Sequence, residues 1–221
     1  MSYLEFLEEF GQRYLDGTLI TLIQAVCSSI LAIAIAVAMG LMRLSHLWPV
    51  RATATCYIEF FRGTSLLVQL YWIYYVLPLF GVPLDNFTAG ILGVGMNLGA
   101  YGAELVRGGI QSVPRGQYEA AIALNMSPIG RMRRVIMPQA ILNMLPPWGT
   151  LLIELLKGTA LVSLISVADL MFEAKQINGS TYLSAQAFGT ALIIYYVIAR
   201  FMVTPLMRWS ETLLARRMGR A

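Results

Sequence analysis

Charge at membrane depth needs a partner or a purpose, and two apolar stretches of this 221-residue chain carry it. In the stretch 87–106, Asn97, Tyr101 and Glu104 recur at i, i+4 and i+7, so a helix sets them on one face. In the stretch 140–165, Glu154 and Lys157 stand at i and i+3. Lining a cavity, these groups suit a zwitterionic solute: Lys157 for a carboxylate, Glu154 or Glu104 for an ammonium or guanidinium, Asn97 for either, with Tyr101 on the same face. A structural alternative stays open, in which Glu154 and Lys157 neutralise each other and Glu104 pairs with an arginine such as Arg107 to lock an inner gate. Covalent chemistry has no constellation to perform it. His46 is the single histidine and lacks a paired serine or metal ligands, while Cys27 and Cys56 have no CxxC or histidine spacing.

The elements that must position these residues are membrane helices. Hydrophobic residues make up 57% of the chain and charged residues 13%, which places it among integral membrane proteins. The net charge of +4 belongs to no soluble basic domain, so nucleic acid is excluded as a partner and the lipid bilayer is the expected surroundings. Asking where charge is sparse over about 30 Å of hydrocarbon yields five spans, at 18–42, 63–80, 87–106, 140–165 and 185–205. Residues 1–17 read as an amphipathic helix at the outer membrane surface, with Leu4, Leu7 and Phe10 or Tyr14 on one face. Gly158 and Thr159 suggest an interruption of the fourth helix, where free backbone N–H groups would favour a carboxylate; close packing at a small residue is the alternative. Tyr71, Trp72, Tyr74 and Tyr75 read as an interfacial aromatic belt.

Arginine placement orients the chain. With five spans, the inner segments hold Arg43, Arg51, Arg62, Arg107, Arg115, Arg131, Arg133, Arg134, Arg208, Arg216, Arg217 and Arg220, whereas the outer ones hold Arg13 and Lys175. Lysine and arginine are retained on the cytoplasmic side, so the N-terminus is expected outside (periplasmic) and the C-terminus inside. Residues 111–139 then form a cytoplasmic loop. Within it, "QYEAAIALNM" is rich in helix formers, and "SPIG" starts a second helix with Ser127 as N-cap and Pro128 in the first turn. Such a loop serves equally as a solvated, lipid-anchored connector or as a helix seated in a soluble partner's groove.

A resemblance separates the two. "EAAIALNMSPIGRMRRVIMPQA" resembles the EAA loop of binding-protein-dependent ABC importer permeases. Glu119, Ala120, Ala121 and Pro138 match that motif, with Val135 and Met137 as conservative replacements. Its glycine falls at Asn125, the residue type next most tolerant of positive φ. "EFFRGTSLLVQLYWIYY", "GAYGAELVRGGIQSVPRGQYEAA" and "LLIELLKGTALVSLISVADL" look like the polar amino-acid branch, including permeases for opines and for zwitterions such as ectoine.

The resemblance implies an all-α integral membrane protein, a type I ABC importer permease bundle of five transmembrane helices forming one domain over 1–221 in the bacterial inner membrane. It also implies the partners: a dimer of ATPase subunits, a second permease subunit, identical or homologous, and a periplasmic solute-binding protein. The EAA loop would be the coupling helix, with Glu119, Arg131 and Arg134 fixing its register in an ATPase cleft. No cofactor is expected in this chain, since it has no Gly-x-x-x-x-Gly-Lys-Ser/Thr phosphate loop; ATP and Mg would be bound by the partner. A passive channel for small polar solutes is the alternative function, and it would need neither ATPase nor binding protein.

Overall fold

The computed structural model describes residues 2–217; Met1 and residues 218–221, with Arg220 of the basic C-terminal group, lie outside the described residues. The described residues form helices joined by short connections. Helix α1 (Tyr3–Arg43) is 41 residues long. At 1.5 Å per residue it extends about 60 Å, twice the hydrocarbon thickness. A capping box starts it: the Ser2 hydroxyl accepts the Glu5 N–H at 3.3 Å and the Glu5 carboxylate accepts the Ser2 N–H at 2.9 Å.

Two stripes explain its packing. Leu15, Leu19, Ile23, Val26, Ile30, Ile33, Val37 and Leu41 are exposed at helical spacing, the pattern of a lipid-facing side. The opposite stripe, Gly17, Thr21, Gln24, Ser28, Ala32, Ala36 and Gly40, is buried and, Gln24 apart, small.

That stripe packs on helix α4 (Asn86–Gln111), which is rich in glycine and started by an Asp85 carboxylate that accepts the Thr88 N–H at 2.9 Å. Small residues on both helices permit near contact of the backbones. A β-carbon on Gly95 would come within 2.7 Å of Leu31, and one on Gly102 within 2.7 Å of Ala36 and 2.8 Å of Trp148. Helix α4 is thereby enclosed by α1 on one side and by α7 on another.

Several elements differ from the sequence reading. Residues 3–17 are not a separate helix but the uninterrupted start of α1. Phe6 and Tyr14 are the buried residues there, against Leu170, Ala174, Ile177, Ala187 and Ala191, while Leu4 and Leu7 point outward. The partner surface decided this, since Leu4 has the hydrophobicity to be buried and nothing to be buried against.

The expected inner loop before residue 63 contains helix α2 (Trp48–Gly63), and the stretch expected as the second span begins its helix only at α3 (Leu66–Tyr71), which continues as a π-turn and a 3₁₀ turn to Phe80. The two runs meet at a bend of 104°. Tyr71, Trp72 and Tyr75 on this rod are exposed, while Tyr74 packs against the core.

Helix α5 (Arg115–Ala123) and α6 (Pro128–Arg131) follow α4, and α6 runs on through a π-turn into α7 (Met137–Thr159). Helix α7 is not interrupted at Gly158; it tightens to 3₁₀ geometry over Ala160–Ile165 and reverses at Ser166, φ 64°. Helix α8 (Leu170–Thr181) occupies an expected outer connector, and α9 (Ser184–Ile198) leads through a π-turn into α10 (Thr204–Arg217).

Among the described residues three helical runs are long and apolar enough to cross a bilayer, Tyr3–Arg43, Pro128–Ile165 and Ser184–Leu214; the bent pair Trp48–Gly63 with Leu66–Phe80 has that length and apolarity only when its two arms are taken together. Helix α4 has the length at 26 residues, but its glycines dilute the hydropathy. It faces protein more than lipid, so its composition answers to packing.

Candidate functional site

The predicted face of α4 converges on the end of α2. Where a helix stops inside a bundle, its last carbonyls lose their N–H partners and must find others. The Phe60 carbonyl accepts the Thr64 hydroxyl at 2.8 Å. The Phe61 carbonyl accepts the Asn97 amide at 3.0 Å and the Gln69 amide at 3.0 Å. The Arg62 carbonyl accepts the Tyr101 hydroxyl at 3.5 Å. Asn97 also donates to the Gln69 side-chain oxygen at 3.0 Å, and both amides are buried. The Asn97 amide nitrogen is therefore engaged by the Phe61 carbonyl and the Gln69 side chain.

Two helical turns along α4 from Asn97, Glu104 sits in a charge cluster. Arg43 at the end of α1 approaches one of its oxygens at 2.7 Å, and Arg107 grips the other through Nε at 3.0 Å and Nη2 at 2.7 Å. Arg43 also reaches Glu59 of α2 at 3.5 Å, so the cluster links three helices. The pairing of Glu104 with Arg107 was legible from their i, i+3 spacing; Arg43 and Glu59 come from other helices and were not.

Beside this cluster opens a cleft of about 340 Å³ lined by Arg62, Tyr101, Glu104, Leu105, Pro147, Thr150, Leu151 and Glu154. Three of the five expected solute residues, Tyr101, Glu104 and Glu154, thus meet in one place. Arg62 also lines the cleft, a place the sequence reading did not assign it, since at the end of α2 it looked like one more inner arginine. Its guanidinium lies 5.4 Å from the centre of the Tyr101 ring, a cation–π arrangement. Glu154 and Lys157 are both exposed on α7 and form no ion pair with each other among the described residues. Lys157 stands one turn further along α7, outside the cleft lining, and the neighbouring Gly158 faces Leu66 at the start of α3.

The basic loop is a second candidate surface. Helix α5 ends in a Schellman arrangement: the Met126 N–H donates to the Ala121 carbonyl at 3.0 Å and the Asn125 N–H to the Ile122 carbonyl at 2.8 Å. Asn125 adopts φ 55°, so the position where the motif carries glycine keeps its left-handed turn. The Ser127 hydroxyl caps α6 by accepting the Gly130 N–H at 3.2 Å.

Glu119 and Ala120 are exposed, Ala121 is turned inward, and Ile122, Leu124 and Ile129 stand out, the last 80% exposed. The outer surface is hence more apolar than an alanine face. None of Arg131, Arg133 and Arg134 is ion-paired within the described residues, which leaves their charge available. Arg131 is half-buried, Arg134 is exposed, and Pro138 lies at the first turn of α7.

The loop is tied to the bundle. Tyr118 donates to the Ile110 carbonyl at 3.4 Å, Gln139 to the Gln117 side-chain oxygen at 3.2 Å, and Asn143 to the Ser112 hydroxyl at 2.9 Å.

Comparison with known proteins gives this geometry its context. A family model for the binding-protein-dependent transport system inner membrane component matches residues 14–220. A "probable amino-acid ABC transporter permease protein", y4tF of Sinorhizobium fredii, is 39% identical over 225 residues, covering 99% of this chain and 92% of that protein. The octopine transport system permease protein OccM of Rhizobium radiobacter is 36% identical over 218 residues, covering 93% and 88%. The crystal structure of an amino acid ABC transporter with histidines contains a chain 36% identical, superposing with a TM-score of 0.88 over 96% of this chain and 98% of that one. With the family matched over nearly its whole length, the chain belongs to the inner membrane components of binding-protein-dependent transport systems: it is a permease subunit of an ABC importer, and not an enzyme.

Proposed function

We propose that this permease passes a polar or zwitterionic, amino-acid-like solute through the bilayer by alternating access, and that the cleft between α2, α4 and α7 is its contact with the solute. The observation carrying the proposal is the set of charges at that cleft. Glu104 is neutralised by Arg43 and Arg107, which leaves the Arg62 guanidinium and the Glu154 carboxylate as the charges on its walls without an ion-pair partner among the described residues. One cation and one anion suit a carboxylate and an ammonium on the same small molecule. Tyr101 adds an aromatic wall, and Lys157 offers a further carboxylate contact along α7. Names of relatives agree in class, since they include amino-acid and octopine permeases.

In this reading the chain crosses the membrane five times, with α4 as the span that hydropathy underrates, its N-terminus periplasmic and its C-terminus cytoplasmic. A second permease subunit, identical or homologous, completes the path. Helix α5 is the coupling helix, through which Glu119, Ala120, Ala121, Asn125, Arg131, Arg134 and Pro138 engage or support the contact with an ATPase dimer that holds ATP and Mg. A periplasmic solute-binding protein delivers the cargo.

The test is uptake of labelled amino acids by the reconstituted importer. Glu154→Gln and Lys157→Met should each reduce uptake about tenfold while assembly and basal ATP hydrolysis persist, because both side chains are exposed and unpaired with each other. Uptake at the wild-type rate in both variants would remove the cleft and its α7 approach from the solute path.

A further inference from the structure

The break between α2 and α3 is held by a pair of amides. Phe61 belongs to α2, Gln69 to α3 and Asn97 to α4. The Asn97 amide nitrogen donates to the Phe61 carbonyl and to the Gln69 side-chain oxygen, each at 3.0 Å. The Gln69 amide nitrogen donates to the same carbonyl at 3.0 Å and to the Thr64 hydroxyl at 2.6 Å. Asn97 is 5% exposed and Gln69 6%, so water does not compete for these bonds.

The glycine at the break does not explain it. A β-carbon on Gly63 would meet nothing within 4 Å, and its φ is not among the positive values of the chain. A side chain is therefore tolerated there, and the donors that satisfy the released carbonyl are what set the stopping point of α2.

We infer that Asn97 and Gln69 are positioning residues for solute selection: their paired amides hold the α2–α3 break in the register that sets the Arg62 guanidinium on the cleft wall. This rests on the cleft being the solute path. Arg62 follows Phe61 directly, so a shift of the Phe61 carbonyl carries the guanidinium with it. Tyr101, one turn along α4 from Asn97, holds the Arg62 carbonyl and lies under its side chain, so one face of α4 fixes both ends of this residue. The chemistry demands amides at both positions. A carboxylate would offer only acceptors to a carbonyl, and leucine at either position would fill the volume while removing one of the carbonyl's two amide donors and breaking the amide–amide bond that aligns the other.

The test uses the complete importer, permease with its ATPase and binding protein, in proteoliposomes. With Cys27 and Cys56 replaced by serine, spin labels on Gly63→Cys and Thr150→Cys report the distance across the cleft; uptake of a uniformly labelled mixture of amino acids is followed on the corresponding unlabelled proteins. Asn97→Leu and Gln69→Leu should each assemble, at least double the width of the distance distribution, and lower uptake about tenfold. The exchanged pair, Asn97→Gln with Gln69→Asn, should restore a narrow distribution and at least half of the uptake, which a loss of general packing would not permit. Where a leucine variant does not assemble, Asn97→Ser replaces it, since serine keeps a donor too short to serve both acceptors. An unchanged distribution in the single variants overturns the positioning role. A widened distribution with wild-type uptake also overturns it, in a different way, by showing that the hinge moves and the cleft is not the solute path.

Discussion

Asp169 is fully buried where α8 begins, with one carboxylate oxygen accepting the Phe172 N–H at 2.8 Å and the other the Tyr195 hydroxyl at 3.4 Å. Burial raises its pKa from 3.8 to about 6, against the opposing pull of the Phe172 and Met171 N–H groups, Tyr195 and Lys175. A folded pKa above the unfolded value means that the folded chain binds the proton more tightly. The ionised carboxylate is then a burden above pH 6 that is relieved as pH falls towards 4, worth about 3 kcal/mol at most. Asp169→Asn keeps an oxygen for the Phe172 N–H and removes the charge. The variant should melt several degrees above wild type at pH 7.5, with the gap shrinking to about a third of that near pH 4.5, in detergent-solubilised protein followed by thermal unfolding. A gap constant across that range would exclude the burial effect. Glu5 and Asp85, whose pKa values are lowered by hydrogen bonds to Ser2 and Thr88, lose their contributions only at more acidic pH, so they do not mask the difference. At this scale, residue type and spacing singled out Tyr101, Glu104 and Glu154, which line one cleft, and anticipated the left-handed Asn125. They did not reveal that Asn97 caps another helix, because its partners lie 28 and 36 residues away.

Among the elements, those formed by local signals were legible and those formed by contact were not. The Schellman turn, the Ser127 cap and Pro128 act within a few residues, so the helix–turn–helix of the loop could be read directly. Helix α2 and helix α8 have weaker signals and owe their place to neighbours: α2 to the side chains of α4, α8 to the buried start of α1. The loop also supplies a prediction about coupling. Its hydrogen bonds to the ends of α4 and α7 make a rigid lever, and Glu119 lies on its exposed side. Glu119→Arg should leave the permease in the membrane yet reduce co-purification of the ATPase subunit and lower solute-stimulated ATP hydrolysis at least tenfold in vesicles. Wild-type values for both would release α5 from its coupling role.

For the molecule as a whole, arginine asymmetry predicts that the two ends lie on opposite sides of the membrane. A cysteine placed at Ser2 should react with an impermeant thiol reagent from outside, and one at Ala221 only after the membrane is opened, both in a chain without Cys27 and Cys56. Labelling of both ends from one side would require an even number of crossings. The sequence by itself determined the membrane class, the family resemblance and the loop motif, because lipid selects composition over long windows and caps act over a few residues. Only the tertiary structure decided that α1 runs without a break from Tyr3, that α4 is a packed centre through its glycines, and that Arg62 joins Glu154 at one cleft. Each of those depends on which surface lies opposite, and a linear pattern records a residue's own character without recording what it will meet.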